Sequence, residues 1–238
     1  MQFIKKRITY YINKIKYLLS PILLAYTLFF AKEKIYPDRS IYYGNLKKGI
    51  RDGIGTLSLN NNTFLGLWKD DKPNGIGTMK WENNDEYTGS YNGYKREGFG
   101  NYNFNDGKKY IGMFKDGKPN GNGLMIFPDG RKFKGMFENN KFEGKGTMTF
   151  PDGTEYIGMF KDNKFNGKGT ANYYNGAKYM GMFKNGKKEG EGIYISSTGK
   201  ERRGIWKNDK PHPTVEEYFG PWAVFLPEVQ RSMEKERI

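Results

Sequence analysis

The stretch that decides the fold is Tyr110-Ile-Gly-Met-Phe-Lys-Asp-Gly-Lys-Pro-Asn-Gly-Asn-Gly-Leu-Met-Ile-Phe-Pro-Asp-Gly-Arg-Lys132. Tyr110, Gly112 and Phe114 alternate with Ile111, Met113 and Lys115, which is the two-residue period of a strand. Lys118-Pro119-Asn120-Gly121 reads as a turn, because Pro fixes φ and Gly permits φ > 0. Gly123, Met125 and Phe127 alternate again and predict a second strand, and Pro128-Asp129-Gly130 predicts a second turn. One unit is therefore a β-hairpin. Its glycines share parity with its aromatics, so a ring from a neighbouring strand is expected to lie over each bare backbone patch.

The unit recurs. The glycine two places after the aromatic stands at Gly44, Gly66, Gly89, Gly112, Gly135, Gly158, Gly181 and Gly204, in one step of 22 and six of 23. A second marker, Gly-x-Gly, keeps the same steps at 53/55, 75/77, 98/100, 121/123, 144/146, 167/169 and 190/192. Two markers holding one period over seven copies define a repeat array. The expected fold class is all-β: an elongated, single-layer antiparallel meander of about seven 23-residue hairpins.

This pattern, Tyr-x-Gly-x-Phe, then Gly-x-Gly, then Pro-Asp-Gly, closely resembles the MORN repeat family. The resemblance covers residues 41 to about 207. The first unit departs at Leu46, where an aromatic belongs, and the eighth opens on Arg202 and stops after Lys210. Such arrays occur alone or joined to a lipid kinase, a methyltransferase, an exchange factor or a membrane anchor. They are linked to acidic phospholipids, to dimerisation and to scaffolding. With 28 residues after the array, the resemblance implies an array protein without a catalytic domain.

Composition narrows the chemistry. The 238 residues include no Cys and one His, His212, set between Pro211 and Pro213. Thiol nucleophiles, thiolate metal sites and His-rich metal sites are excluded. No Gly-x-x-x-x-Gly-Lys-Ser/Thr loop occurs. Asp162-Asn163-Lys164-Phe165-Asn166-Gly167 fails as a calcium loop, with Lys164 at a ligand place and Tyr173 where the bidentate Glu belongs. Asp106, Asp129 and Asp152 each precede a turn glycine and are read as Asx-turn residues, not acids. No cofactor and no catalytic set is expected.

Three segments differ. Residues 1–34 carry a net +6, residues 211–238 a net −2, and the +14 total leaves +10 on residues 35–210. The first segment holds an uncharged run from Tyr17 to Ala31, preceded by five cations. As a helix the run spans roughly 22 Å, against a hydrocarbon core of about 30 Å. Starting at Ile12, with Lys14 and Lys16 snorkelling, lengthens it enough to span. A membrane anchor leads the readings, ahead of a cleaved secretory signal, a transit peptide and a helix packed on the protein itself. Localisation at a membrane, single-pass or peripheral, is the matching expectation. Residues 41–210 form the array. Residues 211–238 read as a capping tail with short helices, from the capping box Thr214-x-x-Glu217 and from Pro227-Glu228.

Two stripes are candidate binding residues. Lys72, Lys95, Lys118, Lys141, Lys164, Lys187 and Lys210 stand four residues after the strand-one aromatic of every unit but the first. They predict a cationic rim, either a solvated loop edge or a surface for anionic lipid headgroups. Met113, Met136, Met159 and Met182 share a register with Leu67 and Ile205 on the face opposite Tyr and Phe, a candidate stripe for a protein partner or a second copy. Nucleic acid is disfavoured, because the rings are expected to cover glycines rather than to stack on bases.

Overall fold

The computed structural model describes residues 31–213, and the expected helices at the two ends lie outside them. The described chain contains strands and turns only. It divides into two compact units, one ending at Lys141 and one starting at Phe142.

The first unit runs β1 (Lys32–Ile35), β2 (Ile41–Lys47), β3 (Ile50–Leu59), β4 (Asn62–Lys69), β5 (Lys72–Lys80), β6 (Glu86–Asn92), β7 (Lys95–Asn103), β8 (Lys109–Lys115), β9 (Lys118–Ile126) and β10 (Lys132–Glu138). Each strand pairs antiparallel with the next. The second unit repeats the scheme in β11 (Lys141–Thr149), β12 (Glu155–Lys161), β13 (Lys164–Asn172), β14 (Lys178–Lys184), β15 (Lys187–Ile195), β16 (Glu201–Lys207) and β17 (Lys210–Pro211).

The turn inside each unit differs from the sequence expectation. Asp116-Gly117, not Lys118–Gly121, closes the β8–β9 hairpin, and Lys118 already faces Lys115 in the ladder. Asp116 and Gly117 have φ of 50° and 79°, the left-handed pair that suits a right-twisted hairpin. Gly121, at φ 90°, instead serves a β-bulge, because the register slips between Gly112 and Phe114. Gly is a turn residue and a bulge residue for the same reason, so composition did not separate the two. The shorter step of 22 has a cause as well. Asn60-Asn61 joins β3 to β4 as a two-residue turn, where later units use the longer Pro-Asp-Gly type of loop. In those loops the Asx turns form: Asp106, Asp129 and Asp152 Oδ1 accept from the backbone N–H of Lys108, Arg131 and Thr154 at 3.0, 3.0 and 2.8 Å. The Lys108 N–H and ammonium hold the Asp106 carboxyl below the ordinary carboxylate range.

The core is a row of rings over glycines. A Cβ on Gly123 would lie 2.5 Å from Cε2 and Oη of Tyr110, and one on Gly169 would lie 2.4 Å from Oη of Tyr156. The covering ring comes across the hairpin for these glycines. For Gly112 and Gly158 it also comes from two places back in the same strand, which the sequence reading had not placed there. The ring is then fixed at its tip. Tyr42, Tyr87, Tyr110, Tyr156 and Tyr179 donate their Oη–H to the carbonyls of Asn45, Ser90, Met113, Met159 and Met182, at 2.8–3.2 Å. Those carbonyls belong to the residues skipped by the bulge, so the hydroxyl satisfies a group the ladder leaves over. Each tyrosine also meets the next repeat edge-to-face. Tyr87–Phe114 and Tyr110–Phe137 centroids are 4.9 and 4.8 Å apart in the first unit, and Tyr156–Phe183 and Tyr179–Trp206 are 4.9 and 5.2 Å apart in the second.

Candidate functional site: the hairpin rim and the outer face

With the rings on the inner face, alternation sends Met113, Met136, Met159 and Met182 to the other side, and all four are exposed. What they face differs between the units. In the first, Met113 stands directly opposite Phe99, which is 60% exposed, and Met136 opposite Asn122. In the second, Met159 faces Lys145 and Met182 faces Lys168. The row there is mixed, and the sequence reading of one apolar stripe fits best around Phe99 and Met113. The partners were legible as the middle residue of each Gly-x-Gly, since that residue is the one paired with the methionine. A shallow groove of ≈ 620 Å³ on the second unit's outer face is lined by Lys145, Thr147, Ile157, Met159 and Lys168.

The lysines begin the second strand of each hairpin, just after its two-residue turn. Lys72, Lys95, Lys118 and Lys141 in the first unit, and Lys164, Lys187 and Lys210 in the second, are all exposed. Several face another lysine directly: Lys69–Lys72, Lys115–Lys118, Lys161–Lys164, Lys184–Lys187 and Lys207–Lys210. Like charges directly opposite are unfavourable in a ladder, so folding alone does not select these pairs.

The rim also carries acids that the sequence reading missed. Glu97, Glu143 and Glu189 accept the turn N–H of Asp116, Asp162 and Asn208 in the next hairpin, at 3.1, 2.8 and 2.9 Å. Asp71, Asn163 and Asp209 reach the other way, their Oδ1 accepting the N–H of Arg51, Phe142 and Lys188 at 2.9, 2.8 and 2.9 Å. Turn and preceding hairpin are thus clipped twice. Lys95 Nζ lies 2.6 Å from Asp116, which raises the lysine pKa and lowers that of the carboxyl. A signal existed: Asp52, Asn74, Glu97, Asn120, Glu143, Asn166 and Glu189 alternate acid and amide at the repeat period.

Among the described residues no cluster of three or more His, Asp or Glu side chains is placed to hold a metal ion. No described helix is long and apolar enough to cross a membrane, and the run beginning at Tyr17 lies almost wholly outside the described residues.

Ring-over-glycine hairpins on a 23-residue period define the class, and the family profile agrees. The MORN repeat matches residues 42–64, 64–86, 87–109, 110–130, 133–155, 156–178 and 179–201. The chain belongs to the MORN repeat family. No curated protein matches it. Among solved structures it is similar to the Drosophila SAS-4 (dCPAP) TCP domain in complex with a proline-rich motif of Ana2. That likeness has a TM-score of 0.41 and 15% identity, over 75% of this chain and 91% of that one. The G-box domain of the microcephaly protein CPAP gives a TM-score of 0.40 and 13% identity, over 74% and 99%. The wild-type TCP10 domain of Danio rerio CPAP gives 0.24 and 14%, over 76% and 95%. Likenesses of this size carry no functional weight.

Proposed function

We propose that this chain is a non-catalytic, membrane-associated scaffold or adaptor, whose N-terminal segment 1–34 anchors the array and whose outer face takes a protein partner. The observation that carries the scaffold reading is a division of labour between faces. The rings fill the inner face themselves, whereas Phe99, Met113, Met136, Met159 and Met182 stay exposed on the outer one. The basic flank and uncharged run of residues 1–34 support the anchor. The full-length chain is expected to pellet with membranes and resist carbonate, and to lose both properties when residues 1–34 are removed. Full release of the intact chain by carbonate overturns the anchor.

The directly opposed lysines favour a second reading, a rim that meets acidic phospholipid headgroups. Each basic residue near such a surface contributes on the order of 1 kcal/mol, within a Debye length of about 8 Å. Binding to vesicles with acidic lipid is expected to fall steeply with salt. It should be lost when Lys118, Lys141, Lys164 and Lys187 become Glu, and kept when four lysines off the rim are changed instead. Equal loss in both variants assigns the effect to total charge.

A further inference from the structure

The residue after each rim lysine lies on the inner face, and its identity varies from repeat to repeat. It is Pro73, Arg96, Pro119, Phe142, Phe165 and Lys188, with Arg51 at the same place in the first repeat. A phenylalanine there adds to the packed rings, as Phe165 does by stacking on Tyr156 at 3.8 Å. A cation needs other partners. Arg51 lies 4.3 Å from the centre of the Trp68 ring and donates from Nε to Asp71 Oδ1 and from Nη2 to the Asp71 carbonyl, both at 2.9 Å. The Trp68 indole N–H donates to the Gly55 carbonyl at 3.0 Å. Arg96 donates from Nη2 to the Gly117 carbonyl at 2.6 Å. In both places the chain itself provides the acceptors.

Lys188 and Trp206 hold, in the second unit, the repeat positions that Arg51 and Trp68 hold in the first. Their donors are used differently. Lys188 stands directly opposite Phe183, and its Nζ sits among the rings of Tyr173, Tyr179, Tyr194 and Trp206, at 5.3, 5.2, 5.6 and 5.1 Å from their centres. Among the described residues this ammonium meets rings and no acceptor. Trp206 is 5% exposed, and its Nε1–H has no hydrogen-bond partner. Asp209, the counterpart of Asp71, accepts the backbone N–H of Lys188 at 2.9 Å and leaves the ammonium to the rings. Ring faces attract a cation through their quadrupole, but they do not satisfy an indole N–H as a carbonyl does. A buried donor left unpaired is rare enough in native proteins to call for a cause.

We propose that Lys188 and Trp206 form a carboxylate-binding site on the inner face of the second unit, walled by Tyr173, Tyr179 and Tyr194. An ammonium and an indole N–H are donors only, so the complementary group is an acceptor, and the positive charge makes it an anion. Asp209 narrows the choice. Its carboxylate is bound to the Lys188 backbone, so an acid already stands beside the one ammonium, and a monoanion suits the site better than a phosphate dianion. Lys188 is half-exposed and seated over the indole. A ligand therefore meets the ammonium first, and the indole N–H is uncovered as the lysine stem turns toward it. The inference uses neither the outer face nor residues 1–34, so its failure and that of the proposed function are separate events.

The repeat itself indicates variants that keep the fold. Phe114, Phe137, Phe160 and Phe183 stand where Trp206 and Trp68 do, and Phe142 and Phe165 stand where Lys188 does. The test is nuclear magnetic resonance of the full-length protein, isotope-labelled at the indole nitrogens of its four tryptophans. Trp206→Phe and Trp68→Phe assign the two signals that matter. Sodium acetate, titrated against sodium chloride at equal ionic strength, is expected to move the Trp206 signal downfield and to saturate. The Trp68 signal, already bonded to Gly55, should stay. Lys188→Phe should weaken the response about tenfold or more. A blocked pentapeptide with one glutamate among glycines separates the sources of the carboxylate. Binding tighter than acetate assigns the site to an acidic partner segment, and binding no tighter assigns it to a free carboxylate; the glutamine version should not bind in either case. The site is overturned if the Trp206 signal moves with neither probe, if Lys188→Phe leaves the response unchanged, or if inorganic phosphate binds as tightly as acetate.

Discussion

Replacing Gly123 by alanine tests whether the ring of Tyr110 is what makes that glycine necessary. The added Cβ would lie 2.5 Å from Cε2 and Oη and 2.7 Å from Cζ of the ring, with no backbone atom among its nearest neighbours. Ordinary carbon contacts begin near 3.5 Å, so the ring must retreat by about 1 Å. Overpacking of this kind costs about 1–3 kcal/mol. The retreat also breaks the 2.8 Å bond from Tyr110 to the Met113 carbonyl, worth about 1 kcal/mol. Against these, alanine is better than glycine in a strand by roughly 0.5–1 kcal/mol. The net expectation is a loss of about 2 kcal/mol. Without the ring the sign reverses. In a Tyr110→Ala background, itself destabilised by about 3–5 kcal/mol, Gly123→Ala should be neutral or stabilising. The double-mutant cycle should therefore show a coupling of about 2–3 kcal/mol. Urea unfolding of the four proteins, followed by tyrosine fluorescence and far-UV circular dichroism, supplies the numbers. Additive effects within about 0.5 kcal/mol refute the ring-over-glycine account of the repeat.

Tyr156→Phe keeps the ring and removes only its bond to the Met159 carbonyl, so it should cost about 1 kcal/mol and speed amide exchange around the bulge. Burial pushes Tyr87, Tyr156 and Tyr179 up to about 12, against an ordinary value near 10. The folded state favours the protonated phenol, so stability is full below pH about 10 and is lost as pH rises through about 12. Phenolate absorbance and circular dichroism should consequently change together in that window; early titration without unfolding contradicts the buried rings. Asn163→Gly preserves a residue that tolerates φ 67° but removes the acceptor for the Phe142 N–H. It should lower stability by about 1 kcal/mol and raise exchange at Phe142, and an unchanged exchange rate would show that the clip is not formed in solution.

Much of this fold was legible because two signals reinforce each other. The parity of Tyr110, Gly112 and Phe114 names the buried face, and the Gly-x-Gly spacing names its partner strand. The Asx turns at Asp106, Asp129 and Asp152 were legible too, since their chemistry is local. Gly121 was misread because a positive φ serves a bulge as well as a turn. The clips from Glu97, Glu143 and Glu189 escaped because they join residues about one repeat apart, and their reason appears only when hairpins are placed side by side. The lysine rim was visible as a stripe. That its members face one another across the turn required the register.

The edge-to-face contact of each tyrosine with the next repeat's aromatic has a genealogical consequence. A 23-residue segment brings its own ring, its own pair of glycines and one half of a contact on either side. Duplicating such a segment inside either compact unit leaves every old neighbour with an equivalent new one, so the array can lengthen or shorten by whole units without redesign of its interior. A deletion of another length must be absorbed in a turn, as the two-residue Asn60-Asn61 turn absorbs the step of 22; inside a strand it separates the rings from their glycines. Natural variation in this sheet is therefore expected to come in whole repeats, with single substitutions confined to the outer face and the rim.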